Sequence, residues 1–400
     1  MLEIILAISL GILAGTITGL MPGLHTNTIA FLIITAGSSL LLSYNPLTIA
    51  VFLVSMIVVH SFVDFIPSIF LGAPEAATVL SLLPGHELLL QGRGFQALRL
   101  TIIGGIGTFI LSIFFIPIIF IFLESLYNIF KTIIGPILFA LSVIFILQEK
   151  EFQKIIWAII IFILAGTLGM IVLNEISLTE PLFPLLSGLF GVSTLFLSMF
   201  GNNTLIKQNI DSDGPLISKK YILSYFKAAI SSLIVSIMPA IGAAQAAIIS
   251  RAFTKFKDKE EFLVVIGGIN TAATIFTLTT LFVINKARTG VSAVIKDMIQ
   301  LSLQDYLILI LTCFVALVFG VNISLKLGKL IALNISKIKY RKMSLIVIIF
   351  IVILVICFSG LLGLFILIVA TSIGMLAPLT NVRRIHLMSV LIIPVIFYFI

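Results

Sequence analysis

The stretch "GLMPGLHTNTIAFLI", Gly19 to Ile33, interrupts a sequence that is otherwise almost continuously apolar. Proline, glycine, histidine, threonine and asparagine arrive together in it, and the apolar run then resumes. A charged loop would simply end a membrane span. A Pro-Gly break does something else: proline removes a backbone donor and glycine loosens the helix. The freed N–H and C=O groups find no partner in lipid, so such a break survives only where protein buries it or a polar cavity reaches it.

The rest of the chain supplies the setting. It has 400 residues, 60% of them hydrophobic and only 10% charged, far from the balance of a soluble globular protein. A span needs roughly 20 largely apolar residues to cross about 30 Å of hydrocarbon. Windows of that kind fall at about 2–20, 26–43, 46–71, 96–123, 128–147, 155–173, 181–200, 222–250, 262–284, 304–325, 343–358, 361–380 and 387–400. The predicted fold is therefore all-α, a polytopic transmembrane helical bundle of about 10–13 membrane elements, some of them broken or re-entrant. The segment beginning "EPLFPLLSG" at Glu180 is one such broken piece. The opening "MLEIILAISLGILAG" lacks a basic leader and reads as a retained first span.

The net charge of +8 does not indicate nucleic-acid binding. Lys and Arg stand in short clusters between spans, where cytoplasmic loops retain positive charge. "KIKYRK" (Lys337 to Lys342), "RRIH" (Arg383 to His386) and "RAFTKFKDKEE" (Arg251 to Glu261) all fall on the inside in a self-consistent scheme, with the loop containing Asp297 outside unless it dips into the membrane. Cys313 and Cys357 lie in apolar runs and read as packing residues. No metal motif, nucleotide loop or nucleophile elbow is visible, so neither a cofactor nor a catalytic residue is expected.

"GNNTLIKQNIDSDGPLISKK" (Gly201 to Lys220) divides the chain near its middle. Residues 1–200 read as a first membrane repeat, 201–221 as a polar linker, and 222–400 as a second repeat with additional C-terminal spans. "LMPGLHTNTIA" (Leu20 to Ala30) aligns with "IMPAIGAAQAA" (Ile237 to Ala247), Met-Pro following a long span in both. Helix breaks at corresponding places in two repeats are the best sequence pointer to a transporter's solute site. Half-helix N-termini at such breaks offer unpaired N–H groups to an anion.

Polar residues at membrane depth extend the site. His60 and Asp64 are four apart, so on a helix they share a face, and ionisable groups at that depth mark an ion path or a mutually satisfied structural pair. "FLGAPEAATVLSLLPGHELLLQGRG" (Phe70 to Gly94) reads as a second broken element, with Pro74 and Thr78 in it and Glu75 either binding a cation or capping a helix. Asn270 leads a threonine-rich stretch, and most of those threonines read as glue between helices. Gly104-Gly105 and Gly267-Gly268 are expected to permit close helix packing.

These residues resemble the large permease subunit of the tripartite tricarboxylate transporters. "GILAGTITGLMPGLHTNT" is similar to that family's Gly-rich span ending in Pro-Gly. "SIFLGAPEAATVLSLLPGHELLLQGRGFQAL" is similar to the stretch that closes on Gln-Gly-Arg (Gln91 to Arg93) and Ala-Leu (Ala97, Leu98). "IMPAIGAAQAAIISRAF" resembles the second Pro-Gly element. The resemblance covers roughly residues 8–290 and implies the fold and the transporter class. That family works with a small membrane subunit and an extracytoplasmic solute-binding protein, and dependence on them does not carry over with the fold. Four departures keep the tricarboxylate itself from carrying over: His25 stands where the family usually has a small residue, Ala240 replaces the second glycine, the family's Glu- and Asn-rich segment is reduced to "GGINTAATIFTLTTLFVINKA", and the chain is shorter than typical members.

The expected function is a multi-pass permease of a prokaryotic cell membrane, moving a small organic anion by coupling to protons or sodium. Pro22, Gly23, Thr26, Asn27, Pro74, Thr78, Pro239, Gln245 and Asn270 are the candidate solute-binding residues; His25, His60, Asp64 and Glu75 are the candidates for ion coupling. An intramembrane enzyme acting on a lipid or polyprenyl substrate, or a non-transporting scaffold, stays open as the alternative.

Overall fold

A computed structural model describes residues 2–21, 45–73, 82–176, 181–199, 206–210, 215–237, 258–335 and 340–399, together with Thr26, Ile29, Ala30, Thr78, Leu80, Leu178, Ala243, Ala246, Ala247 and Ser250. Among the described residues every regular element is a helix. Among the described residues eight helical stretches are long and apolar enough to cross a membrane, and the stretches Gly135–Leu147, Leu182–Leu197 and Arg384–Tyr398 are shorter apolar ones. Large apolar side chains such as Phe114, Ile121 and Leu361 are more than 70% exposed, as expected of a surface solvated by lipid rather than water.

The first pair of spans is α1 (Leu2–Leu20) and α2 (Pro46–Val63). Asn45 starts α2 by accepting a hydrogen bond from the Leu47 N–H at 2.9 Å, with Pro46 in the first turn where its missing donor costs nothing. Gly11, Gly15 and Gly19 form a stripe on α1. A methyl on each would come within 2.6, 2.9 and 2.7 Å of the Cβ atoms of Ser55, Val59 and Val63 respectively. Both series climb by four, so the two helices run parallel, with their backbones in close approach.

The same arrangement recurs in the second half. Ser232 and Ser236, on α8 (Ile222–Ile237), donate to the carbonyls of Ile269 and Ala273 on α9 (Lys259–Ile284), each at 3.2 Å. That pair is parallel too. The described parts of α1 and α8 also end at equivalent points of the sequence, each directly before a Met-Pro dipeptide. Pro22, Gly23, His25 and Asn27, and Pro239 and Gln245, lie outside the described residues, as do Pro74 and Glu75.

Between α2 and α8 lie α3 (Leu82–Leu90), α4 (Gly94–Leu147), α5 (Phe152–Met170), α6 (Leu182–Leu186) and α7 (Ser193–Ser198). After α9 come α10 (Gly290–Met298), α11 (Leu303–Ile335), α12 (Tyr340–Leu379) and α13 (Ser389–Phe399). The packing is exchanged between the halves: α4, which follows α2, lies against α9, whereas α11, which follows α9, lies against α2. The expected role of the glycine pairs is visible at the first contact. A methyl on Gly104 would strike the Val264 carbonyl oxygen, and one on Gly267 the Thr101 carbonyl oxygen.

One element departs from the span list. Residues 94–147 form one helix where two spans were expected, because "LESLYNIFK" (Leu123 to Lys131) contains no glycine or proline to end it. At 1.5 Å per residue it is roughly 80 Å long, so it serves two regions of the bundle rather than crossing once. α12 shows the opposite case. Gly360 leaves helical geometry (φ 64°, ψ −163°), and a methyl on Gly363 would lie 3.3 Å from Val355 Cγ1. Residues eight apart in a straight helix are separated by about 12 Å. The helix therefore folds back at Gly360, which keeps its two ends on one side, as a pair of spans would.

A group of charged residues gathers around the starts of α4, α8 and α9. Arg93 and Lys220 pair with Glu260, Lys259 with Glu87, and Lys227 with Glu261 at 2.7 Å. These contacts tie the starts of α4, α8 and α9 to α3. By the positive-inside rule this group lies on the cytoplasmic side.

Candidate functional site

Where the two halves meet, a cavity of about 550 Å³ opens between α2 and α9. Its polar floor comes from residues that the helical period places on one face of each helix. His60, Ser61 and Asp64 project from α2, and Asn270, Thr274 and Thr277 from α9. Asn270 Nδ2 donates to Asp64 Oδ2 at 3.1 Å and to the Ser61 carbonyl at 3.2 Å, so one amide joins the two halves at membrane depth. His60 Nδ1 meets Thr18 Oγ1 at 3.0 Å, and that hydroxyl itself donates to the Gly15 carbonyl. Which of the two groups donates depends on the imidazole tautomer.

His60 and Asp64 thus line one cavity, as their spacing implies, and each has a partner on a neighbouring helix. Thr26 is buried and also lines the cavity. Thr78 is buried as well, but it sits against the π-helical turn Pro67–Leu71, where Ser68 donates to its carbonyl at 3.3 Å. Thr271, Thr279 and Thr280 return their hydroxyls to the carbonyls four residues earlier, and Thr274 and Thr277 face the cavity. Among the described residues no three His, Cys, Asp or Glu side chains gather as a metal site.

Sequence reasoning missed the cavity's guanidinium. Arg288 stands between α9 and α10, in the loop containing Asp297 that was expected outside unless it dips into the membrane. The overlooked signal was "RTGVSAVI": Thr289 and Ser292 form a reciprocal capping box, and the residues behind it alternate as an amphipathic helix. α10 therefore turns Val291 and Ile295 into the cavity wall. The Arg288 N–H donates to Ser292 Oγ at 2.9 Å, which fixes the backbone. Its guanidinium carbon lies 5.1 Å from the centre of the Tyr127 ring, a cation–π geometry. Burial lowers the pKa of Arg288, opposed by a hydrogen bond to Tyr127, and a guanidinium keeps its proton even so. Nε and Nη2 are buried without a hydrogen-bond partner among the described residues.

Parallel helix pairs in two exchanged halves, enclosing a polar cavity at membrane depth, define a polytopic membrane permease. The comparisons agree. Residues 5–389 match the tripartite tricarboxylate transporter TctA family, and the chain belongs to that family. It is also 31% identical to an uncharacterized protein of Methanocaldococcus jannaschii, over 99% of this chain and 98% of that one. No solved structure matches it. The protein is accordingly a multi-pass transporter permease of a prokaryotic cell membrane.

Proposed function

We propose that the protein is a secondary transporter that carries a small organic anion through the cavity between its halves, coupled to protons or sodium. The observation that carries this reading is the Asp64–Asn270 hydrogen bond at the cavity floor. It places a carboxylate from one half and an amide from the other in a single polar cluster, where relative movement of the halves would remake the contact. A buried carboxylate beside a histidine on the same helix face is chemically suited to take up a proton or hold a cation.

In this reading residues 1–200 and 222–400 are the two repeats and 201–221 the linker. Thr26 and Asn270 belong to the solute site, and His60 and Asp64 to the coupling path. Pro22, Gly23, Asn27, Pro239 and Gln245 complete the solute site at the two breaks, with Pro74 and Thr78 at the second broken element. His25 and Glu75 join the coupling path. A small membrane subunit and an extracytoplasmic solute-binding protein are the partners that family membership suggests. The test is uptake of labelled carboxylates into proteoliposomes under an imposed proton or sodium gradient. Gradient-driven accumulation that Asp64→Asn abolishes supports the proposal, and absence of flux for every carboxylate under either gradient refutes it.

A further inference from the structure

We infer that Arg288 is the anion anchor of this cavity and that the solute is a monocarboxylate with an apolar body rather than a di- or tricarboxylate. This rests on the transporter reading above and names the chemistry of the same site. Three observations support it. First, Arg288 lines the cavity, and its Nε and Nη2 donors are buried with no hydrogen-bond partner among the described residues. Those two nitrogens form the edge that pairs bidentately with a carboxylate. Second, the Tyr127 ring under the guanidinium and the Ser292 hydroxyl on the backbone hold the side chain in place before any solute arrives, which limits the entropy lost on binding.

Third, the charge of the wall is low. Among the described residues lining the cavity, Arg288 is the one permanent cation and Asp64 the one acid. One fork pairs with one carboxylate. A second or third carboxylate would face Asp64, neutral groups such as Asn174, Thr274 and Thr277, or the apolar wall at Ile57 and Leu278, and none of these supplies a second counter-charge. An ionised group without a partner is strongly disfavoured there. The same wall rewards an alkyl or aromatic body on the solute.

The test uses the full chain in nanodiscs and proteoliposomes, with isovalerate, its neutral analogue isovaleramide, and citrate as probes. Wild type should bind isovalerate, with citrate failing to compete at tenfold excess. Arg288→Gln should weaken isovalerate binding about 10- to 100-fold, the range for a hydrogen bond to a charged group, and leave isovaleramide binding unchanged. Arg288→Lys should fall between, because it keeps the charge and loses the fork. If Arg288→Gln does not fold, the wild-type ranking of the three probes and the Arg288→Lys value still decide. Citrate binding as tight as isovalerate, or an Arg288 variant with wild-type isovalerate affinity, overturns the inference while leaving the transporter reading intact. Failure of all carboxylates to bind or cross removes both.

Discussion

Asn270 offers the sharpest perturbation, since its amide bridges the halves. It gives one hydrogen bond to a carboxylate at 3.1 Å and one to a backbone carbonyl at 3.2 Å. A bond to a charged group contributes about 1.5–3 kcal/mol, and a neutral interhelical bond in a membrane about 0.6 kcal/mol. Together they amount to roughly 2–4 kcal/mol if nothing replaces them. The cavity can supply water, however, and a water can take up most of a lost hydrogen bond. Asn270→Ala leaves room for that water, so its loss of stability should be about 1–2 kcal/mol. Asn270→Leu fills the same space with apolar atoms and leaves the Asp64 oxygen facing them, so it should lose about 3–4 kcal/mol. Reversible unfolding of the purified protein in detergent, followed by circular dichroism, measures both. The expected order is wild type, then Ala, then Leu, with transport falling in the same order. A Leu variant as stable as the Ala variant would refute the reasoning, because it would show that the amide does not sustain Asp64.

Three further outcomes follow from the packing. Lys227 and Glu261 are both about nine-tenths buried and 2.7 Å apart, so Glu261→Ala should destabilise by about 3–5 kcal/mol and Lys227→Met with Glu261→Leu should restore most of it; equal losses in the single and double variants contradict this. Gly360 has φ 64° with open space around its α-carbon, so Gly360→Ala should cost about 1–3 kcal/mol through backbone strain alone, and an unchanged melting temperature rules the fold-back out. For Glu149, burial raises the carboxyl pKa, but the hydrogen bonds from Arg383 at 2.7 Å and His386 at 3.0 Å outweigh it, and the net effect is a lowered pKa. A carboxyl lowered on folding stabilises fully above its ordinary pKa, and that contribution fades as pH falls through the folded value. Melting temperature should therefore drop on acidification below the usual glutamate range, and Glu149→Gln should flatten that part of the profile; an unaltered acid limb argues against the pairing.

Hydropathy made the helical bundle legible because a lipid-facing helix must be apolar along its length. The glycine pairs were legible for a related reason: a backbone contact such as Gly104 on Val264 excludes any other residue. His60 and Asp64 were found because a charge at membrane depth is conspicuous. Arg288 was not, since an arginine beside polar residues looks solvated until α10 is seen to fold over it. The continuous helix through Leu123 to Lys131 escaped for the opposite reason, because the apolar windows end at about 123 and resume at about 128 around Glu124. The exchange of α4 and α11 between halves is a long-range contact that no local pattern encodes.

The central claim is that the cavity walled by α2 and α9 is the solute path. Thr274 lines it and is buried from the protein's outer surface. The direct measurement is the rate at which a membrane-impermeant thiol reagent modifies Thr274→Cys in a background lacking Cys313 and Cys357. Modification from the aqueous side, slowed by a transported carboxylate and not by its neutral amide, is the predicted result. A cysteine at Thr274 that reacts at the same rate with and without the transported solute contradicts the account.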